Sequence, residues 1–188
     1  MVFNPVVSSE MGKTDILSMN LENRIILLSG AIDDDMALSV ISQMLYLDNQ
    51  AKGEKINLYI NSPGGSVSDG LAIYDTMRTL ESPVSTVCFG HAASMAAVLL
   101  SGGKKGERVL LPHSEVMIHQ PSGGVEGQTE DILIAADHIK SLREELNSIL
   151  AENCGKPLEE IVRATDRDHW MKADEAVAYG IADMVIGR

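Results

Sequence analysis

Val84-Ser85-Thr86-Val87-Cys88-Phe89-Gly90-His91-Ala92-Ala93-Ser94-Met95-Ala96-Ala97-Val98-Leu99-Leu100 holds the change of rhythm on which the fold turns. Val84 to Phe89 is a short β-branched and apolar run, which predicts a buried strand. Gly90 to Ala93 is small and predicts a turn, and Ser94 to Leu100 predicts a helix. The same alternation extends both ways. Upstream, Ile56 to Ile60 predicts a strand, Asn61-Ser62-Pro63-Gly64-Gly65 a turn, and Val67 to Leu80 a helix. Arg24-Ile25-Ile26-Leu27-Leu28 predicts a further strand, closed by Ser29-Gly30. Asp33-Asp34-Asp35 then sets acids at a helix start, where the macrodipole favours them. That helix is predicted to reach Asn49 with Leu38, Ile41, Met44 and Leu45 on one face. Downstream come short strands at Val109 to Leu111 and Val116 to Ile118. A long helix over Thr129 to Asn153 follows, with Ile132, Ile139, Leu142, Leu146 and Ile149 near helical spacing. Short helices are expected at Leu158–Ala164 and Ala173–Tyr179. Such alternation predicts an α/β fold with largely parallel strands. Residues 1–23 are weakly patterned and are expected to form a separate, mobile N-terminal segment. Residues 24–188 carry no linker and no repeat, and are expected to form one domain.

The chain has 188 residues, 45% of them hydrophobic, enough for a real core. Its net charge of −12 speaks against nucleic acid as a partner, because phosphate binding needs a basic face. No basic patch marks a membrane surface, and the apolar stretch Ala92 to Leu100 is too short to span a bilayer. Cys88 and Cys154 fit no metal spacing. They read as free thiols, one buried and one at a helix end, which suits a reducing compartment. The N-terminus lacks the basic-then-apolar pattern of a signal peptide, so a bacterial-type cytosol, or an organelle descended from one, is the expected setting.

Ser94 stands alone between strand and helix. Helix N-caps are commonly serine, so packing alone accounts for one serine there. The small residues on both sides, however, leave room for a substrate backbone. Serine becomes a nucleophile only when a base takes its proton. His119, in Met117-Ile118-His119-Gln120-Pro121, ends an apolar strand and is the best base candidate, against the plainer reading of a core histidine bonded to a carbonyl. His91, His113, His138 and His169 sit in turns or on a polar helix face. An acid must orient the imidazole. Asp166 and Asp168, in Asp166-Arg167-Asp168, are both candidates and spacing does not choose between them; a solvated charged turn is the plainer reading. The N–H of Met95, at a helix start, is a natural oxyanion donor. Gly64-Gly65 permits a second by close backbone approach. The glycines match neither a phosphate-binding loop nor, with Ser68 in place of the last glycine, the G-x-S-x-G elbow.

Together these segments resemble the proteolytic subunit of the Clp protease, the ClpP family of serine peptidases. The resemblance is carried by Tyr59-Ile60-Asn61-Ser62-Pro63-Gly64-Gly65, Gly90-His91-Ala92-Ala93-Ser94-Met95-Ala96, Met117 to Pro121, Asp166-Arg167-Asp168 and the segment Ala173 to Asp183. It covers about residues 24 to 186. It implies a serine endopeptidase with Ser94 as nucleophile, His119 as base and Asp168 as orienting acid. It also implies an oxyanion hole from the N–H groups of Gly65 and Met95. The implied fold is a ClpP/crotonase-like βα spiral with a protruding long "handle" helix. Residues Gly123 to Gln128 and the Thr129–Asn153 helix resemble that handle and its strand. Gly64, Gly124 and Val125 would then line an extended substrate, an unfolded polypeptide or a small peptide. The resemblance implies two stacked seven-membered rings, with Asp166 and Arg167 at the ring-to-ring contact. It implies a Clp-type AAA+ ATPase partner, and no cofactor or metal in the subunit itself.

Departures accompany the likeness. Met11-Gly12-Lys13-Thr14-Asp15-Ile16 is a poor match to the family's axial-loop pattern. Asn57, Thr79 and Val109 stand where the family's ATPase-docking pocket has aromatics, while Tyr59 is retained. Loss of such anchors predicts weak or altered docking, or a ring mixed with a second proteolytic subunit. Two other readings remain at this stage. One is a dormant ring subunit that needs a second subunit type or an ATPase. The other is an acyl-CoA hydratase or isomerase, in which the Ser94, His119 and Asp168 set has no role.

Overall fold

A computed structural model describes residues 6–9 and 12–187. The chain runs β1 (Val6–Ser9), β2 (Gly12–Asp15), α1 (Ile16–Glu22), β3 (Ile25–Ser29), α2 (Asp34–Gln50), β4 (Ile56–Ser62), α3 (Val67–Thr79) and β5 (Val84–Ala93). It continues through α4 (Met95–Ser101), β6 (Arg108–Leu110), β7 (Glu115–Ile118), α5 (Thr129–Cys154), α6 (Leu158–Ala164), β8 (His169–Lys172), α7 (Ala173–Tyr179) and β9 (Met184–Val185). The first strands form an antiparallel hairpin, and Asp15 caps α1 by accepting the N–H of Ser18. No element is expected there from the sequence. Residues 1–5, 10 and Met11 of that segment lie outside the described residues.

The main sheet has the order β3-β4-β5-β6-β9, all parallel, as the alternation predicts. β5 is the hinge of the architecture. Thr86–Cys88 pairs with β6, then His91–Ala93 pairs with β7, so one strand serves two neighbours in succession. This corrects the expected turn at Gly90–Ala93, which is strand because β7 offers it a fresh edge. Between the two pairings β5 bulges against β4, where Cys88 to Ala92 lies opposite Ile60 to Ser62. The Asn61 side chain fills the bulge and accepts the N–H of His91; a Cβ on Gly90 would lie 2.4 Å from its Oδ1. β8 adds antiparallel to β7, and β8 and β9 are further strands that the sequence reading lacks. Both are short and carry no alternation long enough to be read.

The core lies between the sheet and α2, α3 and α4. All seven residues of α4 are buried, and each full leucine burial is worth about 1.5–3 kcal/mol. On α2 the buried stripe is Ala37, Val40, Met44 and Leu47. The expected face is corrected here: Met44 is buried, whereas Leu38 is 68% exposed and Leu45 is also exposed. The helix is apolar on two sides, and only one of them meets the sheet. α5 is buried only toward its C-terminal end, at Leu146, Asn147, Leu150 and Asn153; Ile132, Leu133 and Ile134 in its first half are exposed. No strand forms at Gly123 to Gln128, contrary to expectation. Three of those residues are glycines without a side chain to pack, and an isolated strand is marginal without a partner edge.

Two arginines lock the periphery. Arg24, at φ 59°, donates to the carbonyls of Leu47, Glu54 and Lys55 and so pins the end of α2. Buried Arg108 makes a two-pronged pair with Asp183, at 2.9 and 2.6 Å, and also donates to the carbonyls of Ser101 and Asn153. That ties β9 to β6, α4 and α5. Burial pushes the Asp183 carboxyl up, but the side chain and N–H of Arg108, with the N–H of Gly106, outweigh it and hold the carboxyl below the ordinary aspartate value.

Candidate active site

Ser94 sits in the single-residue gap between β5 and α4, with φ 56° and ψ −125°. Only Arg24 shares a positive φ among the described non-glycine residues. A left-handed residue of this kind costs about 1–3 kcal/mol and persists only when its surroundings over-determine it. Here they do: the Ser94 N–H donates to the Met117 carbonyl at 2.8 Å, and the wholly buried α4 follows at once. The Ser94 side chain makes no capping hydrogen bond to α4. Its Oγ lies 2.8 Å from Nε2 of His119 instead, which removes the N-cap explanation for this serine.

His119 follows β7, which pairs with the last residues of β5, so adjacent strand ends bring His119 beside Ser94. Nδ1 of His119 lies 2.9 Å from Oδ1 of Asp168, the residue just before β8. The strand ends thus line up a hydroxyl, an imidazole and a carboxylate in one chain of hydrogen bonds. Of the two acids left open by the sequence, only Asp168 reaches the histidine. Asp166 is occupied by Arg143 at 3.6 Å and Arg167 at 3.3 Å. Asp168 itself is 62% exposed, so its position comes from the backbone that carries it. The other histidines are elsewhere; His169 packs edge-on against Tyr179.

Gly64 and Gly65 approach Ser94 from the end of β4. A Cβ on Gly64 (φ +90°) would fall 2.7 Å from the Ala93 carbonyl oxygen and from Cβ of Ser94, and 3.0 Å from the N of Met95. On Gly65 (φ +156°) it would fall 2.1 Å from the Ile32 carbonyl oxygen. Both positions therefore require glycine. Gly64 thus packs against the Ser94 and Met95 backbone, and Gly65 against Ile32. Gly124 and Val125 lie on the exposed segment after Pro121.

Ser94 and His119 themselves line a cavity of about 20 Å³, walled further by Val67, Val98, Leu146, Leu150 and the polar side chain of Asn147. That is room for roughly one water. A groove of about 750 Å³ between α1, β3 and α2 contains none of this chemistry. Sequence reading missed Asn147 and Thr165, whose side chains bond to each other at 2.9 Å beneath the Asp168 loop. A lone asparagine between Leu146 and Leu150 on a buried helix face was the available signal.

An α/β sheet that delivers serine, histidine and aspartate to one point beside a glycine pair defines a hydrolase-like site. The chain belongs to the Clp protease family, whose family model, "Clp protease", matches residues 8–188. It is a peptidase of the ClpP kind, and its α/β fold agrees with the ClpP/crotonase-like arrangement. Membership brings peptide substrates and an oligomeric assembly. Among the described residues no helix is long and apolar enough to cross a membrane.

Proposed function

We propose that this chain is the proteolytic subunit of an ATP-dependent Clp protease: a cytoplasmic serine endopeptidase acting on unfolded polypeptides and small peptides inside a ring chamber. The observation that carries the reading is the unbroken hydrogen-bonded chain from Ser94 Oγ through His119 to Asp168. Nε2 of His119 takes the proton as Ser94 Oγ adds to the scissile carbonyl carbon. The carbonyl oxygen becomes an oxyanion facing the N–H groups of Gly65 and Met95. His119 then protonates the leaving amine, and the C–N bond breaks to leave an acyl-serine. Water, deprotonated by His119, repeats the addition and releases the acid. Asp168 holds the imidazole in the required tautomer and stabilises its cation.

The exposed segment from Gly123 has free backbone groups and suits an extended substrate beside Gly124 and Val125. Two stacked heptameric rings, touching through Asp166 and Arg167, form the proposed chamber. Asn57, Thr79 and Val109 lack the ring area of aromatic anchors, while Tyr59 is retained and packs against Phe89 at 6.1 Å. Weak or altered docking of a Clp-type AAA+ ATPase follows, which comparable tight binding to an ATPase with the usual docking loop would contradict. The small size of the cavity at Ser94, about 20 Å³, favours one second reading: a dormant ring opened by an ATPase or a second proteolytic subunit.

Hydrolysis of a short fluorogenic peptide, with Ser94→Ala in parallel and assembly size read on the same samples, tests both. Activity in a large assembly that falls at least about 10⁴-fold in Ser94→Ala supports a self-sufficient peptidase. Silence alone, with activity on mixing with a partner, supports the dormant ring. Equal activity in Ser94→Ala overturns the assignment.

A further inference from the structure

Asp168 is mostly in solvent, yet it must hold its carboxylate within hydrogen-bond reach of His119. Three tethers fix the turn that carries it. The Gln120 N–H donates to the Thr165 carbonyl at 2.6 Å, and Gln120 Nε2 donates to the Asp166 carbonyl at 2.8 Å. On the far side, His169 pairs with Ile118 across β7 and β8. His119 is thus flanked by two residues that grip the turn before and after Asp168. The third tether comes from outside this pair of strands. Thr165 is fully buried, and its Oγ1 lies 2.9 Å from Oδ1 of Asn147 and 2.9 Å from the Ile161 carbonyl oxygen. Asn147 is 4% exposed and belongs to α5. Loss of the Thr165 hydroxyl takes from the buried Asn147 Oδ1 its donor, and loss of the Asn147 amide leaves the Thr165 hydroxyl tied to the Ile161 carbonyl alone.

We infer that Asn147 is a positioning residue for the Asp168–His119 pair: through Thr165 it sets the turn that carries Asp168 and couples α5 to the active site. The inference rests on the proposed roles of Ser94, His119 and Asp168. It assigns Asn147 no contact with the reacting atoms. Its place in the wall of the cavity at Ser94 allows a competing role as a substrate contact, which kinetics separates from positioning. A substrate contact acts mainly on KM, whereas a displaced Asp168 acts on kcat.

The experiment compares full-length, assembled wild type with Asn147→Leu, Thr165→Val and Thr165→Ser, and with Ser94→Ala as control. Asn147→Leu and Thr165→Val are expected to lower kcat about tenfold or more, because small misplacements near the chemistry are costly. KM is expected to stay within about twofold. Thr165→Ser keeps the hydroxyl and is expected to keep kcat within about threefold of wild type. His119 supplies a readout that needs no activity. With Asp168 displaced, the Nδ1–H of His119 loses its carboxylate acceptor, so its proton resonance, followed by NMR of ¹⁵N-labelled histidine, moves upfield. The neighbouring charges Asp166, Arg167 and Arg143 are unchanged in every variant. Wild-type kcat with an unmoved His119 Nδ1–H resonance overturns the inference. So does a change confined to KM, or equal damage in Thr165→Ser and Thr165→Val. Should Asn147→Leu fail to fold, the Thr165 pair decides alone. Activity surviving in Ser94→Ala would sink the proposed function instead, and the His119 Nδ1–H resonance would still test the tether.

Discussion

Ser94 and Asp168 stand at opposite ends of one hydrogen-bonded chain and are held by opposite means. Ser94 is wedged: a left-handed backbone between a central strand and a wholly buried helix, with glycine backbone pressed against its Cβ. Asp168 is hung: an exposed side chain on a turn that hydrogen bonds keep in place. Packing is over-determined and tolerates the loss of one contact, whereas a tethered turn depends on each bond. Perturbation from outside the site should therefore reach the acid long before it reaches the nucleophile.

The largest expected effect tests the hung end. Asp168→Asn keeps the shape but favours the wrong imidazole tautomer, and kcat is expected to fall by up to about 10⁴-fold. Labelling of Ser94 by a fluorophosphonate should slow in step, whereas an unchanged rate would mean that the acid is idle. Gly65→Ala tests the wedged end. Its Cβ would run into the Ile32 carbonyl, and if the proposed oxyanion role of the Gly65 N–H holds, its displacement is expected to cost about 10²–10³ in kcat. A wild-type rate in that variant would show that the backbone there gives way freely.

Stability gives a third test, far from both ends. Asp183→Asn strands buried Arg108 and is expected to cost about 3 kcal/mol in a denaturant titration at pH 7, the low end because Asp183 keeps some solvent. The folded carboxyl titrates below its unfolded value. Its stabilisation is therefore fully present above the unfolded pKa and lost as pH falls through the depressed folded one. The difference between wild type and Asp183→Asn should shrink below about pH 4; a difference constant with pH would contradict the pairing. Arg167→Ala is expected to lower assembly and peptidase activity together by a few-fold, since the residue adjoins Asp168 and pairs with Asp166. Fully active isolated single rings would refute that coupling. The smallest effect concerns the thiols. Burial raises the Cys88 thiol and pushes Cys154 up to about 11, so both should react with a thiol reagent at pH 8 far more slowly than a free cysteine.

The wedged end was legible in the sequence because it is local. Strand, small residues, serine and apolar helix follow one another from Val84 to Leu100, and the Gly64-Gly65 pair closes the preceding βα unit. From the residues alone the hung end was legible only as a pair of candidates, and it took the family resemblance to single out Asp168. Asp166 and Asp168 carry the same chemistry two residues apart, and what separates them is the pairing of β7 with β8, a long-range antiparallel contact between two short strands. The same limit hid Asn147, whose partner Thr165 is eighteen residues away, across a helix end. On α2, periodicity found an apolar helix but misplaced its inner face, because Leu38 and Leu45 are as hydrophobic as the residues that are buried. The strand expected at Gly123 to Gln128 rested on resemblance and not on pattern, and the chain by itself leaves that segment extended and unpaired.

The fork in β5 also sets how much the chain can change in length. Cys88 to Ala92 spends four steps where β4 spends two, and it does so while passing from one neighbour to the next. One residue inserted or deleted there would turn every side chain after it to the opposite face of the sheet and rotate Ser94 away from His119. Evolution can rewrite the letters of that stretch more easily than its spelling length. Among the described residues the segment from Pro121 to Gln128 pairs with no strand, so a change of length there would leave the sheet register intact.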